Sequence, residues 1–290
     1  MVMAATAEWT RAQDALRAEV DRVTALLRAV DNPTAPALGG WNVAEVAMHL
    51  AQVWGVVPGL ASDDLSGRSD LPPEIRGDDA SFLSGLWELQ EATVLGVQAD
   101  PERDLGLIAD RIDERARDFF AAMRGLSALD MRPWLVAGTR VRLATLTCHL
   151  LNETMVHGYD MARADGRRWA IDRSHAAMVL EGFLFPVVQV LDARALVDAE
   201  AAAGVRVNYE LHIRGGGRYV FAFDDGALTL EPAGSSPRRI DCHVSADPAA
   251  LLLVAWARKS QWAAIARGQL VAWGRKPWLG PKLRGLMRNP

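Results

Sequence analysis

The sequence predicts a two-domain protein of mixed α and α+β class, with a helical bundle first and a small antiparallel sheet with helices second. Three observations carry this. The chain has 290 residues, about the size at which a single core stops growing and chains divide. Apolar residues recur at helical spacing through the first half and beyond. From Val205 to Val244 they alternate instead, which is the period of half-buried strands.

The elements follow in order. Trp9, Ala12, Leu16, Val20, Val23, Leu26 and Leu27 mark a first helix over Thr6 to Val30. The segment DNPTAPALGG (31–40) breaks it with Pro and Gly. A second helix opens at Asn42, an N-cap residue with Glu45 three positions on, the pattern of a capping box. Residues 62–78 read as a loop. Helices resume at about 79–99 and 102–124, with Pro101 suited to a first helical turn. A fifth helix covers about 143–164, and a linking helix at about 173–195 follows the cap Asp172. Beyond it, Val205, Val207, Tyr209, Leu211 and Ile213 alternate with polar residues. So do Tyr219, Phe221 and Phe223, then Leu228 and Leu230, then Ile240, Cys242 and Val244. Gly215–Gly217 and Asp224-Asp225-Gly226 are the turns between these runs. Helix returns at Asp247-Pro248. The predicted domains are residues 1–168 and 169–290.

Composition narrows the function. Half the chain is hydrophobic and 23% is charged, which suits packed cores rather than disorder. The net charge of -4 argues against a nucleic-acid coat. The start MVMAATAEW lacks a basic stretch before an apolar one, and polar residues such as His49 and Gln52 interrupt the apolar runs. The expectation is no signal peptide and no transmembrane segment. Cys148 and Cys242 are far apart and fit no metal or redox spacing, which predicts free thiols and a cytoplasmic setting.

Chemistry concentrates on two helices. The second places His49 on the same face as Val46, Leu50 and Val53. On the fifth, the apolar stripe Leu143, Leu146, Leu150 continues at Glu153, His157 and Asp160. A buried carboxylate needs a compensating partner. Either Glu153 and His157 hydrogen-bond within the bundle, or His49, Glu153 and His157 form a two-imidazole, one-carboxylate metal set with room for an outside ligand. Asp160 either supports a ligating imidazole from behind or pairs with Arg163 or Arg167. His149 lies beside the stripe with no assigned role, and Cys148 reads as packing.

Two segments resemble a known family. Trp41–Leu50, WNVAEVAMHL, resembles the W-x-x-x-(D/E)-V-x-x-H-L segment of mycothiol-dependent maleylpyruvate isomerases and their DinB-like relatives. Glu153–Arg163, ETMVHGYDMAR, resembles their E-x-x-x-H-G-x-D-x-A segment. The resemblance implies a DinB-like four-helix bundle that holds a divalent metal, typically zinc, on His49, Glu153 and His157. It also implies mycothiol as a thiol cosubstrate, activated as thiolate, and a small electrophile as substrate. The reaction would be cis–trans isomerisation of the maleylpyruvate type or thiol S-transfer, with neither protein cysteine required. Asp241–Pro248, DCHVSADP, with the apolar helix after it and Gly268-Gln269-Leu270, resembles a sterol-carrier-protein-2-like domain. That likeness implies the alternative, a lipid- or apolar-ligand-binding module with a structural metal site and no turnover.

An acidic substrate would need cations. Arg206, Arg214, Arg218 and Arg258 are candidates, and each reads equally as a surface arginine. Residues 251–290 carry eight Lys or Arg and no Asp or Glu, with Trp256, Trp262, Trp273 and Trp278 among them. The expected arrangement is a solvated basic face over a tryptophan-rich core, with weak contact to anionic lipid as the other reading.

Overall fold

The computed structural model describes residues 2–62, 86–136, 138–191, 196–235 and 237–288. The expected loop at 62–78, except Ser62, and the first part of the helix at 79–99 lie outside these residues, as do 192–195 of the linking helix. The chain divides into two compact units, Met1–Ile171 and Asp172–Pro290.

The first unit holds α1 (Val2–Leu27), α2 (Val43–Ser62), α3 (Leu86–Ala99), α4 (Leu105–Ala122) and α5 (Leu143–Ala164). Helices α1, α5, α2 and α4 pack in a closed ring, the four-helix bundle that the resemblance implies, and α3 lies against α2. Every apolar residue of the α1 stripe, Trp9 through Leu27, is buried. The capping box at the start of α2 forms reciprocally. Glu45 N–H donates to Asn42 Oδ1 at 3.0 Å, and Asn42 N–H donates to Glu45 Oε2 at 2.8 Å. The start of α4 differs from expectation. Pro101 lies outside the helix, because Asp104 caps it by accepting from the N–H groups of Gly106 and Leu107. Two short hairpins were not predicted, β1 (Pro36–Leu38) with β2 (Trp41–Asn42) and β3 (Met131–Pro133) with β4 (Arg140–Arg142). Runs of two or three residues are too short to show a period.

In the second unit Asp172 caps α6 (Arg173–Val179), a π-helical turn at Leu180–Leu184 follows, and α7 (Phe185–Val190) completes the linking helix. A five-stranded sheet then forms from β5 (Arg206–Ile213), β6 (Arg218–Asp224), β7 (Ala227–Pro232), β8 (Cys242–Ala246) and β9 (Leu270–Trp273), in the order β7-β6-β5-β8-β9. The sheet is mixed and not antiparallel, since β8 runs parallel to β5. The segment after β7 returns the chain to the free edge of β5. Alternation along a strand reports a buried face but not the direction of the neighbour. The turn at Asp225-Gly226 has φ of 50° and 84°, the two left-handed residues that a tight hairpin requires. Asp247 caps the helix Pro248–Ala255 by accepting from Ala250 N–H, with Pro248 at its first position.

The tryptophan-rich core expected at the C-terminus does not form. Trp262, Trp273 and Trp278 are exposed. Trp273 belongs to β9, an edge strand whose alternate residues face away from the buried side, and it stacks on His243 at 5.4 Å between ring centres.

Candidate metal centre

Helices α2 and α5 are positioned alike. Each follows a hairpin, and each uses its first two N–H groups, which have no partner within the helix, to grip upstream carbonyls. Val43 and Ala44 donate to Ala35 and Pro33, at 3.1 and 3.0 Å. Leu143 and Ala144 donate to Asp130 and Ala128, at 2.8 and 3.1 Å. Two buried bonds then fix α5 laterally. Trp9 Nε1 donates to Thr147 Oγ1 at 2.8 Å, and Trp54 Nε1 donates to Thr154 Oγ1 at 3.2 Å. Helix α2 is long and apolar enough to cross a membrane by length and composition, but most of it is buried inside the unit, as a core helix is.

His49 from α2 meets Glu153 and His157 from α5. Glu153 Oε2 lies 3.6 Å from His49 Nε2 and 3.2 Å from His157 Nε2. The ligand atoms of the three residues all lie within 4.8 Å of one another, and the two imidazoles stand perpendicular at 4.8 Å between centres. Their side chains remain 10–13% exposed. Asp160, itself buried, places Oδ2 3.3 Å from His157 Nδ1. Arg167 pairs instead with Asp165 and Asp31.

Sequence reasoning missed His149 and Asn152. Asn152 Nδ2 donates to Glu153 Oε1 at 3.0 Å, and His149 Nε2 lies 3.6 Å from the same oxygen. The available signal was the spacing His149, Glu153, His157, each four residues apart. A single apolar stripe leaves His149 beside the buried face, whereas α5 is buried on nearly all sides.

The electrostatics follow from this packing. Burial favours the neutral form of His49 and pulls its pKa down. Burial alone would raise Glu153, but hydrogen bonding to His149, His157 and His49 outweighs it and holds the carboxyl well below its usual range. Burial would lower His157, but Asp160 and then Glu153 outweigh it and carry the ring up to about 9. Cys148 is pushed up to about 12 by burial, and burial also raises Cys242, so neither thiol ionises readily.

The donor set fits a divalent cation. With metal–donor distances of about 2.0–2.2 Å, two donors on a tetrahedral centre stand roughly 3.3–3.6 Å apart. The separations of 3.2 and 3.6 Å around Glu153 Oε2 match, and the three donor atoms as a set lie within 4.8 Å of one another, a wider span than the bound geometry. Other candidate residues are engaged elsewhere. Arg214 ties Ser245 Oγ to the carbonyls of Gly268 and Gln269, and Arg206 pairs with Asp224.

Residues 9–162 match the family model described as the mycothiol maleylpyruvate isomerase N-terminal domain. Crystal structures of the mycothiol-dependent maleylpyruvate isomerase and of a single-residue variant are each 14% identical to this chain. Each comparison covers 91% of this chain and 92% of the other, with a TM-score of 0.49. A stereoselective inverting sec-alkylsulfatase from Pseudomonas sp. is 17% identical over 50% of this chain and 24% of its own, with a TM-score of 0.30. No curated protein matches the chain.

Proposed function

From the premise that this chain belongs to the mycothiol maleylpyruvate isomerase N-terminal domain family, we propose that it is a divalent-metal-dependent enzyme using a small thiol, mycothiol, on a small electrophile. The reaction is cis–trans isomerisation of the maleylpyruvate type or S-transfer, in the cytoplasm. The observation that carries this reading is the convergence of His49, Glu153 and His157 from two helices. These three residues hold the cation, for which zinc suits the donors. When bound, such a cation supplies Lewis acidity that favours a thiolate near neutral pH.

The chain's own residues set the conditions. Asp160 faces His157 Nδ1 and keeps the proton there, so that the His157 ring of the metal-free protein gives up its Nε2 proton to become a ligand. Burial keeps His49 neutral, the form a ligand requires. Three protein donors leave a coordination position for an outside group. The raised thiols of Cys148 and Cys242 do not compete with an added thiol.

Purified protein is expected to carry about one divalent metal per chain and to show thiol-dependent turnover of an electrophile. His157→Ala should remain folded and lose the metal. Folded wild-type protein that takes up no divalent metal would overturn the reading.

A cavity of about 500 Å³ in the second unit favours a second reading for that unit. Leu211, Phe221 and Val244 of the sheet face Leu180, Phe185 and Val254 of the helices across it, an apolar lining suited to an acyl chain. On this reading the unit would act as a sterol-carrier-like module, with weak anionic-lipid contact through residues 251–290. Native mass spectrometry for a co-purified lipid, run beside a thiol-conjugation assay, separates the two readings.

A further inference from the structure

We infer that Asn152 and His149 are positioning residues that occupy one oxygen of the Glu153 carboxylate, so that only the other is offered to a cation. The inference rests on the metal reading above and concerns how the chain shapes that site.

A buried carboxylate has two oxygens, and each needs donors. Glu153 divides its neighbours evenly. Oε1 accepts from Asn152 Nδ2 at 3.0 Å and has His149 Nε2 at 3.6 Å. Oε2 has His157 Nε2 at 3.2 Å and His49 Nε2 at 3.6 Å. Asn152 is 1% exposed and His149 5%, so both are fixed by packing and not by solvent. The bond between Trp54 and Thr154 holds the next residue of α5 in place.

A cation between His49 and His157 therefore meets Oε2. Recruiting Oε1 as well would require the carboxylate to turn toward the cation, away from the Asn152 amide that holds it at 3.0 Å, and would weaken that bond in a buried setting. Glu153 is thus a one-oxygen donor, the site offers three protein atoms, and the third imidazole of the cluster stands behind the carboxylate and is not a ligand. Without this clamp the carboxylate could chelate with both oxygens and fill the position that an incoming thiol needs.

The test uses the full chain loaded with Co²⁺ as a spectroscopic probe, with affinity from titration and coordination number from the visible absorption. Wild-type protein should bind one equivalent with the intense bands of a four-coordinate ion. Asn152→Ala and His149→Leu should each weaken binding about 10–100-fold and dim the bands as Glu153 turns to two-oxygen binding. His149→Gln, which keeps an N–H near the place of Nε2, should restore both. If Asn152→Ala does not fold, the His149→Leu and His149→Gln pair decides.

Unchanged affinity and spectrum in the variants, with wild type loaded, would overturn the clamp and leave the metal reading standing. Loss of metal in His149→Leu as complete as in His157→Ala, without rescue by Gln, would make His149 a ligand and overturn it too. No metal in wild type would bring down both.

Discussion

The indole of Trp169 lies where a side chain on residue 158 would stand. A Cβ on Gly158 would sit 2.6 Å from Trp169 Cζ2. Gly158 directly follows His157, so the missing side chain lets an aromatic ring close over α5 beside the candidate centre. The same ring is covered by the Arg22 guanidinium at 4.1 Å.

Gly158→Ala should therefore destabilise the first unit by about 1–3 kcal/mol, the usual cost of overpacking, although Ala is the better helix former. Urea denaturation measures this. A variant as stable as wild type would show that Trp169 can move aside freely.

Asp160→Asn removes the charge behind His157. In the metal-free protein the His157 pKa should fall from about 9 toward its ordinary value, which proton NMR titration reads directly. Metal affinity should drop about 10–100-fold. An unmoved His157 pKa would mean that Glu153 alone sustains it.

Asp241 contributes to the acid response of the second unit. Burial would raise its pKa, but Asn208 N–H, Lys276 and Arg275 outweigh burial and hold it below the usual range. A depressed carboxyl adds stability that is present above its unfolded value of about 3.9 and is lost as pH falls through the folded value. Asp241→Asn should cost about 0.5–1.5 kcal/mol at pH 7, since Lys276 and Arg275 are partly exposed and screened, and should flatten the loss of stability below about pH 4. Calorimetry across this range tests it, and a parallel acid profile in the variant would count against the assignment.

Cys148 should resist alkylation in the native protein at pH 8 and react on unfolding, since its thiol is buried and pushed up to about 12. Cys148→Ala should leave thiol-dependent turnover unchanged. Loss of turnover in a folded variant would argue for a direct chemical role of this residue.

Local rules made much of the fold legible. Asn42 with Glu45, Asp172 and Asp247 are helix starts whose capping is written in adjacent residues. The alternation from Val207 to Ile213 buries as read. The direction of β8, the hairpins before α2 and α5, and strand β9 were not legible, because each depends on what lies alongside and not on neighbours in sequence. The outward turn of Trp262, Trp273 and Trp278 belongs to the same class.

The candidate site divides the same way. Residue type and spacing alone placed His49, Glu153 and His157 on inward faces, because a polar residue interrupting an apolar stripe must find a partner, and left Asp160 open. Only the tertiary structure decided that His49 arrives from α2 at 3.6 Å, that Asp160 turns to His157, and that His149 and Asn152 take the second oxygen of Glu153. The reason is geometric. A helical period fixes direction around one axis, whereas which atoms come within a bond length is set by how separate helices pack.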